Sequence, residues 1–323
     1  MPQGAIVLVD KAEGWTSHDV VAKARRALGT RKVGHAGTLD PMATGLLVLG
    51  AGPATRLLTH LVGLDKTYEA TIRLGAATVT DDREGEVTAV ADREDVAKVF
   101  ADPARIAAAV ARLTGPIEQS PSAVSAIKVD GKRAYDRVRA GENVELKKRP
   151  VTIHSFEIGE PRLSDDGLAI DIEAVIDCSS GTYIRALARD LGADLGIGGH
   201  LTALRRTKVG PFDVHAATPH AQLVGDAEAG VAGDAGVLHS PADVARLLFP
   251  VLELAADEAR DLANGKRLPI EPERQEKAPL VAAIHPGADA AVGADRLVGL
   301  VEVRGGKTRV ITNFPAAEAE NPA

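Results

Sequence analysis

The chain has 323 residues, of which 45% are hydrophobic, so it can bury the core of one large domain with a smaller one, or of two medium domains. Its single cysteine, Cys178, excludes an intramolecular disulfide and a multi-cysteine metal cage, and it fits a reducing compartment. The formal net charge of -7, taken alone, argues against a nucleic-acid partner.

The first two thirds of the sequence mix strand and helix patterns. Thr16 or Ser17 is positioned to cap a helix that stops at Gly29. In chain order, the patterns predict strands at 4–9, 45–52, 68–75, 151–158 and 168–176, and helices at 18–29, 54–63, 94–113 and 181–196. The order has no regular βαβ rhythm, which favours an α+β layer fold over a doubly wound sheet.

A small, acidic, glycine-rich segment at 225–240 predicts a linker. The elements predicted after it are a helix at 242–248, a second helix that ends at Gly265, and a hairpin of 297–305 and 307–314 that turns at Gly305 and Gly306. We therefore expect a first domain at 1–240 and a small, mostly β domain at 245–318.

The apolar segments are short. The sequence contains no run of 18 apolar residues, and its first 15 residues are typical of a strand rather than of a signal peptide. We therefore expect a cytoplasmic protein with no membrane contact.

Basic residues are clustered although the chain is acidic overall. Residues 23–33 hold five lysines and arginines and no acid, and residues 128–149 hold eight basic and four acidic residues. Such clusters fit either a polyanion at one face or the solvated surface of a helix.

The stretch VGHAGTLDPMATG, residues 33–45, contains a single carboxylate, Asp40, in front of a proline. A carboxylate can act as a nucleophile or base when it is held and ionised beside its target. It can equally serve as a turn residue before proline, and spacing alone favours that second interpretation.

Other chemistries find little support in the sequence. His35 and Asp40 match the H-x-x-x-x-D pattern of glycerolipid acyltransferases, but the chain offers no acyl-carrier or membrane surface. The segment GLLVLGAG lacks the G-K-[ST] ending of a phosphate loop, and the histidines show no metal-ligand spacing. We therefore expect neither a cofactor nor a metal.

Six ordered segments across about 200 residues carry a resemblance to one family. They are GWTSHDVVAKARR (14–26), GHAGTLDPMATGLLVLGAGPATR (34–56), DKTYEATIRLG (65–75), IEQSPSAVSAIKVDGKRAYDRVRAGE (117–142), CSSGTYIRALARDLG (178–192) and HLTALRRTKVGPF (200–212). The chain resembles the bacterial tRNA pseudouridine synthase B (TruB) family. This implies a pseudouridine-synthase fold, with a mixed, largely antiparallel central sheet flanked by helices, and a small C-terminal domain of the PUA type that binds RNA.

The resemblance implies roles for three residues in the chemistry. Asp40 takes the position of the family's catalytic aspartate, Tyr68 that of the tyrosine that stacks on the target base, and Arg185 that of the arginine paired with the aspartate. By spacing alone, Arg185 is also consistent with a surface arginine of a helix.

Further positions match residues near the RNA. His35 corresponds to the histidine that enters the T-loop of tRNA, and Leu204 to a leucine of the pocket. Tyr183, Lys11 and Lys128 match positions close to the cleft or the RNA. The segment of about 120–150 corresponds to the family's RNA-binding thumb, so the resemblance favours RNA contact for the basic clusters.

The implied reaction is isomerisation of uridine 55 in the T-loop of tRNA to pseudouridine, by a monomer and without a cofactor. The target base has to be flipped out of the tRNA elbow before a side chain reaches it. The alternative is a non-catalytic tRNA-binding or tRNA-folding protein on the same scaffold.

One position departs from the family pattern. Val79 stands where many members have the first aspartate of a T-D-T-x-D turn, while Asp82 retains the second. This puts in doubt any role of the first acid but leaves the main chemistry in place.

Overall fold

A computed structural model describes residues 4–122, 128–129, 132–133, 147–229, 238–274, 278–289 and 294–314. The chain divides into two compact units that interleave in sequence. The first unit comprises Met1–Pro41, Gly45–Val62 and Pro211–Ala323, and the second comprises Met42–Thr44 and Gly63–Gly210. The sequence domains predicted at 1–240 and 245–318 stay a prediction.

The strands run from the first residues to the last described segment. They are β1 (Ala5–Lys11), β2 (Val33–His35), β3 (Thr44–Ala51), β4 (Lys66–Leu74), β5 (Ala76–Thr78), β6 (Val87–Val90), β7 (Gly115–Gln119), β8 (Lys128–Val129), β9 (Lys132–Arg133), β10 (Arg149–Ile158), β11 (Arg162–Leu163), β12 (Ile170–Cys178), β13 (Gly199–Val209), β14 (Phe212–Asp213), β15 (Thr218–Pro219), β16 (Leu238–His239), β17 (Val251–Glu253), β18 (Val281–Asp289), β19 (Ala294–Arg304) and β20 (Lys307–Asn313).

The α-helices are shorter than most of the patterns predict. They are α1 (Ser17–Ala27), α2 (Leu58–Val62), α3 (Arg93–Phe100), α4 (Pro103–Arg112), α5 (Ile184–Leu195), α6 (His220–Ala229), α7 (Pro241–Leu248) and α8 (Ala256–Ala263). Within the described segments, no helix is both long and apolar enough to cross a membrane.

In the first unit, β1 and β3 form the centre of a mixed sheet. β1 pairs antiparallel with β3 and β16 and parallel with β15, and β2 pairs antiparallel with β3. Nearly every residue of β1 and β3 is buried, so their apolar side chains are removed from water on both faces. The pairing of Lys11 with Gly45 fixes where the two strands end beside the Asp40 loop.

Helix α1 follows β1 and begins as predicted. The side chain of Thr16 accepts a hydrogen bond from the backbone N–H of Asp19, and the Asp19 carboxylate accepts one from Thr16 in return. The helix buries Val20, Val21 and Ala24 on one face. The capped helix at the start of the chain is therefore confirmed.

In the second unit, five strands form an antiparallel sheet in the order β13-β4-β12-β10-β7. Helix α5 packs against β13 and β4. The close packing of α5 on the sheet requires glycine at two positions. A Cβ added at Gly192 would lie 2.1 Å from the carbonyl carbon of Gly198, and one added at Gly199 would lie 2.4 Å from the Ala188 carbonyl oxygen. The glycines thus fix the position of the helix that carries Arg185.

Three predicted elements differ in type or extent. The helix expected at 54–63 is a 3₁₀ helix at Gly52–Leu57 followed by the short α2. The single helix expected at 94–113 is two helices, α3 and α4, because Pro103 cannot continue a helix and Asp102 caps the second one through the Arg105 N–H. The linker expected at 225–240 begins too early, since α6 continues through its alanine-rich end to 229. Residues 230–237 lie outside the described part of the chain.

The C-terminal part of the first unit contains a four-stranded sheet in the order β17-β18-β19-β20. Helix α8 packs on β18 and β19, and residues such as Leu252, Val281 and Val301 form its apolar core. The predicted hairpin is confirmed as β19 and β20, which turn at Gly305 and Gly306 with φ values of 55° and 70°. The PUA likeness of this part stays a prediction.

Candidate active site

The Asp40 loop connects β2 to β3 and is fixed by a buried ammonium group. Lys11, at the end of β1, is 0% exposed. Its Nζ donates hydrogen bonds to the carbonyl oxygens of Ala12 at 3.0 Å, Trp15 at 2.7 Å and Pro41 at 3.3 Å. Since Pro41 directly follows Asp40, Lys11 holds the chain on the carboxyl side of the acid. Direct contact of Lys11 with RNA stays a prediction.

Ser17 holds the other side of Asp40. The Leu39 N–H donates to Ser17 Oγ at 2.9 Å, and the Ser17 hydroxyl donates to the Leu39 carbonyl oxygen at 3.1 Å. Both residues are buried, whereas Asp40 itself is half-buried. A third hydrogen bond, from the Gly14 N–H to the Pro41 carbonyl oxygen at 2.8 Å, closes the same region. The loop therefore presents a half-exposed carboxylate on a fixed backbone.

His35 lies at the end of β2, opposite Leu49 of β3. Its ring stands edge-on to the ring of His18, with 5.8 Å between centroids and 82° between planes. This contact orients the imidazole five residues ahead of Asp40. Its predicted entry into the T-loop stays a prediction.

Tyr68 and Leu204 lie on one buried face of the second unit's sheet. Tyr68 of β4 pairs with Arg206 of β13, and Leu204 pairs with Ala70, two residues further along β4. Paired residues of an antiparallel sheet share a face, so the tyrosine and the leucine are diagonal neighbours. They are 7% and 8% exposed.

Two cations share that face and were not predicted as site residues. Lys66 lies two residues before Tyr68, and Lys66 and Arg206 are 6% and 1% exposed. Burial, together with the nearby Arg206, lowers the pKa of Lys66 to about 8. The alternation of β4 alone places Lys66 and Tyr68 on one side, and this could have identified the lysine.

Arg185 lies in the first turn of α5 and binds the turn that follows β5. Its Nη1 donates to Asp82 Oδ2 at 3.1 Å and to the Thr80 carbonyl oxygen at 2.9 Å. The two side chains are 9% and 3% exposed, so this is a buried ion pair. Asp82 Oδ1 also accepts from the Thr80 hydroxyl at 2.5 Å and the Glu84 N–H at 3.0 Å. The predicted pairing of Arg185 with Asp40 stays a prediction.

The neighbouring acid, Asp81, binds the next turn of the same helix. Its Oδ2 accepts from Arg189 Nη1 at 3.1 Å and from the Ser122 hydroxyl at 2.6 Å. Burial raises the pKa of Asp81, although Ser122 and Arg189 oppose that shift. Asp81 has φ of 59°, the only positive φ of a non-glycine residue in the described segments. This conformation allows two consecutive acids to reach Arg185 and Arg189.

The start of α5 is fixed by Gln119. Its side-chain amide donates to the Tyr183 carbonyl oxygen at 3.1 Å and accepts from the Tyr183 N–H at 2.9 Å. Gln119 is 1% exposed and ends β7. Tyr183 thus precedes Arg185 on a rigid backbone, while its expected contact with RNA stays a prediction.

Two further expectations fall largely outside what the structure describes. Lys128 lies on the short strand β8, which pairs with β9, and its side chain is outside the described part. Most of the thumb expected at about 120–150 is outside it as well. Among the described side chains, no group of three or more histidines, cysteines, aspartates and glutamates could hold a metal ion.

Two protein-family models match adjacent parts of the chain. A family model described as TruB family pseudouridylate synthase (N terminal domain) matches residues 25–184, and one described as tRNA pseudouridylate synthase B C-terminal domain matches residues 185–232. The tRNA pseudouridine synthase B of Leifsonia xyli subsp. xyli is 54% identical over 313 residues, which cover 97% of each chain. That of Thermobifida fusca is 53% identical over 265 residues, covering 81% of this chain and 86% of the relative.

The solved structures agree on the fold. A chain in a structure of an H/ACA RNP bound to a substrate RNA containing 2′-deoxyuridine matches with a TM-score of 0.67 and 22% identity, covering 98% of this chain and 86% of that chain. The α+β fold of a pseudouridine synthase, an isomerase, is therefore confirmed. Identity above 50% across nearly the whole chain goes further: the chain belongs to the TruB family of pseudouridylate synthases.

Proposed function

We propose that the chain converts uridine 55 in the T-loop of tRNA into pseudouridine. Family membership supports this, and one observation carries it: the residue at the family's catalytic position, Asp40, lies in a loop fixed on both sides by Lys11 and Ser17. In the reaction the C1′–N1 bond breaks, the uracil turns, and a C1′–C5 bond forms. The C5 hydrogen leaves as a proton and N1 gains one, so the isomerisation is balanced without an oxidant or a reductant.

The target nucleotide first leaves the folded elbow of the tRNA. Flipping costs a few kcal/mol, which contacts in the site have to recover. Stacking of the base on Tyr68 contributes about 1–3 kcal/mol of that, since aromatic rings stabilise unpaired bases. His35 fills the space that the flipped base leaves.

Asp40 then acts on the flipped nucleotide as nucleophile or base. It attacks C1′, attacks C6 of the uracil, or removes the C2′ proton, and each route needs an ionised carboxylate in a site poor in water. Arg185 supplies a positive charge that pairs with the carboxylate and orients it. The hydrogen bonds of Arg185 Nη1 to Asp82 and Thr80 support this role, because they fix the direction of the guanidinium.

The protein acts as a monomer in the cytoplasm and grips the tRNA through its phosphates. Basic residues of the 120–150 segment supply part of this grip, with an affinity that falls as salt rises. Size-exclusion chromatography with light scattering tests the monomer, and a stable dimer without RNA contradicts it.

Tritium release tests the proposed reaction. An unmodified tRNA carrying tritium at uracil C5 is incubated with the protein, and we expect one tritium per tRNA to reach the solvent, but none from a transcript with cytidine at position 55. Asp40→Asn should bind tRNA without release, while Glu228→Gln, which changes an exposed acid paired with Lys23, should match the unmodified protein. Binding without release by the unmodified protein would favour the non-catalytic tRNA-folding alternative.

A further inference from the structure

A surface cavity of about 360 Å³ lies at the C-terminal end of α1. Its lining consists of Ala22, Arg25, Arg26, Gly29, Thr30 and Arg31. All three arginines are exposed. The cavity is thus open to solvent and half of its lining residues carry a positive charge.

These arginines differ from Lys23, another cation of α1, in their ion pairing. Lys23 pairs with Glu228 at 3.0 Å. Within the described residues, in contrast, no ion pair joins Arg25, Arg26 or Arg31 to a carboxylate; Arg25 only donates a 3.4 Å hydrogen bond to the Val33 carbonyl oxygen. A negative helix end favours nearby cations, but it does not account for a third arginine that reaches the cavity from the following loop.

The acid within α1 lies at the opposite end of the helix from the cavity. Asp19, the only acid in the helix, is engaged in the capping box with Thr16. In a chain with a net charge of -7, three arginines around one cavity without an acid partner form a local site for an anion. Like charges held close together repel, so a bound anion would relieve an unfavourable arrangement.

We propose that this arginine cavity binds phosphate groups of the RNA backbone. The inference rests on the proposed function, since it assumes that the partner is the tRNA substrate. Guanidinium groups match phosphate oxygens with two parallel hydrogen bonds, and the open cavity admits a polymer. The six lining residues include no aromatic ring, so the site binds the backbone rather than a stacked base and does not read sequence.

The position in the chain connects the cavity to the candidate active site. Arg31 comes two residues before β2, which ends at His35, and the Asp40 loop follows directly. The chain thus runs from the arginine cavity directly into the Asp40 loop, and a phosphate bound at the cavity would anchor the RNA backbone without entering the chemistry.

The salt dependence of tRNA binding tests the proposal. The dissociation constant for an unmodified tRNA is measured between 50 and 200 mM salt, about the range in which phosphate contacts dominate. For the variant with Arg25→Gln, Arg26→Gln and Arg31→Gln, we expect the slope of log affinity against log salt to fall by about 1 to 2, one for each lost phosphate contact. The rate of the bound complex should stay unchanged, because these residues do not touch the reacting atoms.

A control variant carries the same change in net charge. Lys98→Gln, Arg112→Gln and Arg162→Gln remove exposed cations that already pair with Glu94, Asp194 and Glu173. We expect this control to keep the salt slope of the unmodified protein. The variant Arg26→Lys with Arg31→Lys, which keeps the positive charges, should retain most of that slope. Glutamine and arginine have similar helix propensities, so the substitutions should not disturb α1. If the triple variant fails to fold, the single variants Arg26→Gln and Arg31→Gln are measured in the same way.

Two results overturn the inference. One is a cavity variant whose slope and affinity equal those of the control, which would leave the arginines as ordinary surface residues. The other is a loss that depends on the tRNA sequence, which would indicate base recognition. Failure of the proposed function is a separate outcome, because it shows as absent tritium release from the unmodified protein whatever the salt slope.

Discussion

Arg185 Nη1 lies 3.1 Å from Asp82 Oδ2, and both side chains are almost fully buried. The pair joins the first turn of α5 to a turn 103 residues earlier in the chain. Asp82 is the acid retained from the family's T-D-T-x-D pattern, in which Val79 replaces the first aspartate. The structure thus assigns the retained acid a contact with the arginine that we propose to pair with Asp40.

Asp82→Asn should impair the reaction more than RNA binding. The amide keeps the shape but not the charge, so the guanidinium of Arg185 loses its fixed direction. We expect single-turnover conversion to slow about 100-fold, as for other small misplacements of catalytic groups, with the dissociation constant for tRNA nearly unchanged. Glu173→Gln, which removes an exposed acid paired with Arg162, is the control. An Asp82→Asn protein of normal rate would show that this pair is only structural.

Lys11→Met should weaken both the fold and the rate. Three carbonyl oxygens, including that of Pro41, lose a charged donor, and we expect the free energy of unfolding to fall by about 3 kcal/mol. Because the Asp40 loop then loses one of the contacts that hold it, tritium release should slow even at temperatures where the variant is folded. Urea unfolding and the release assay measure the two effects; a slower rate with no loss of stability would contradict this role of Lys11.

Asp81 combines a strained backbone with a buried charge, and three substitutions separate these features. Asparagine tolerates the positive φ of 59°, glycine adopts it freely, and alanine does not. We expect Asp81→Ala to be less stable than Asp81→Gly by about 1 kcal/mol, the cost of a left-handed residue. Asp81→Asn should lose only the charge that faces Arg189. Equal unfolding free energies for the alanine and glycine variants would show that the backbone at position 81 is not strained.

The buried cation beside Tyr68 predicts a change of stability with pH. The pKa of Lys66 is about 8 in the folded protein and 10.5 when unperturbed. Between these values the unfolded chain binds a proton that the folded protein has released, so the free energy of unfolding rises with pH. Lys66→Met should abolish this rise, which urea unfolding between pH 7.5 and about 9 measures.

Cys178 changes the free energy of unfolding with pH in the opposite direction to Lys66. Burial raises the pKa of its thiol from 9.0 to about 11, so the folded protein keeps a proton that the unfolded chain loses, and stability falls across that interval. Cys178→Ala should therefore extend the rise due to Lys66 above pH 9, where the unmodified protein levels off. A Lys66→Met protein with an unchanged slope between pH 8 and 9 would contradict this assignment.

Local patterns predicted the elements but not the contacts between them. The cap at Thr16, the strand pattern of β4 and the glycine turn of the last hairpin are encoded within a few residues, and all three are confirmed. The helix expected at 94–113 was wrong because its apolar spacing continues across Pro103, where the backbone cannot.

For the site residues too, local sequence patterns did not predict the contacts. Spacing favoured a turn role for Asp40, and only the resemblance of distant segments singled it out. The contact of Asp82 with Arg185 depends on α5 packing on β13 through Gly192 and Gly199, which no local pattern predicts. The resemblance placed Lys11 close to the cleft or the RNA, but it did not predict that the ammonium is buried against the loop carbonyl oxygens at the end of β1.

The most direct test is a crystal structure of the Asp40→Asn variant, which should bind without turnover, in complex with a tRNA T-arm. We predict that nucleotide 55 is flipped out, that its C1′ lies in van der Waals contact with the side chain at position 40, and that its base stacks on Tyr68. Arg185 should reach that side chain while keeping its hydrogen bond to Asp82. A complex in which another nucleotide faces position 40, or in which nucleotide 55 stays stacked in the elbow, would contradict the proposed function.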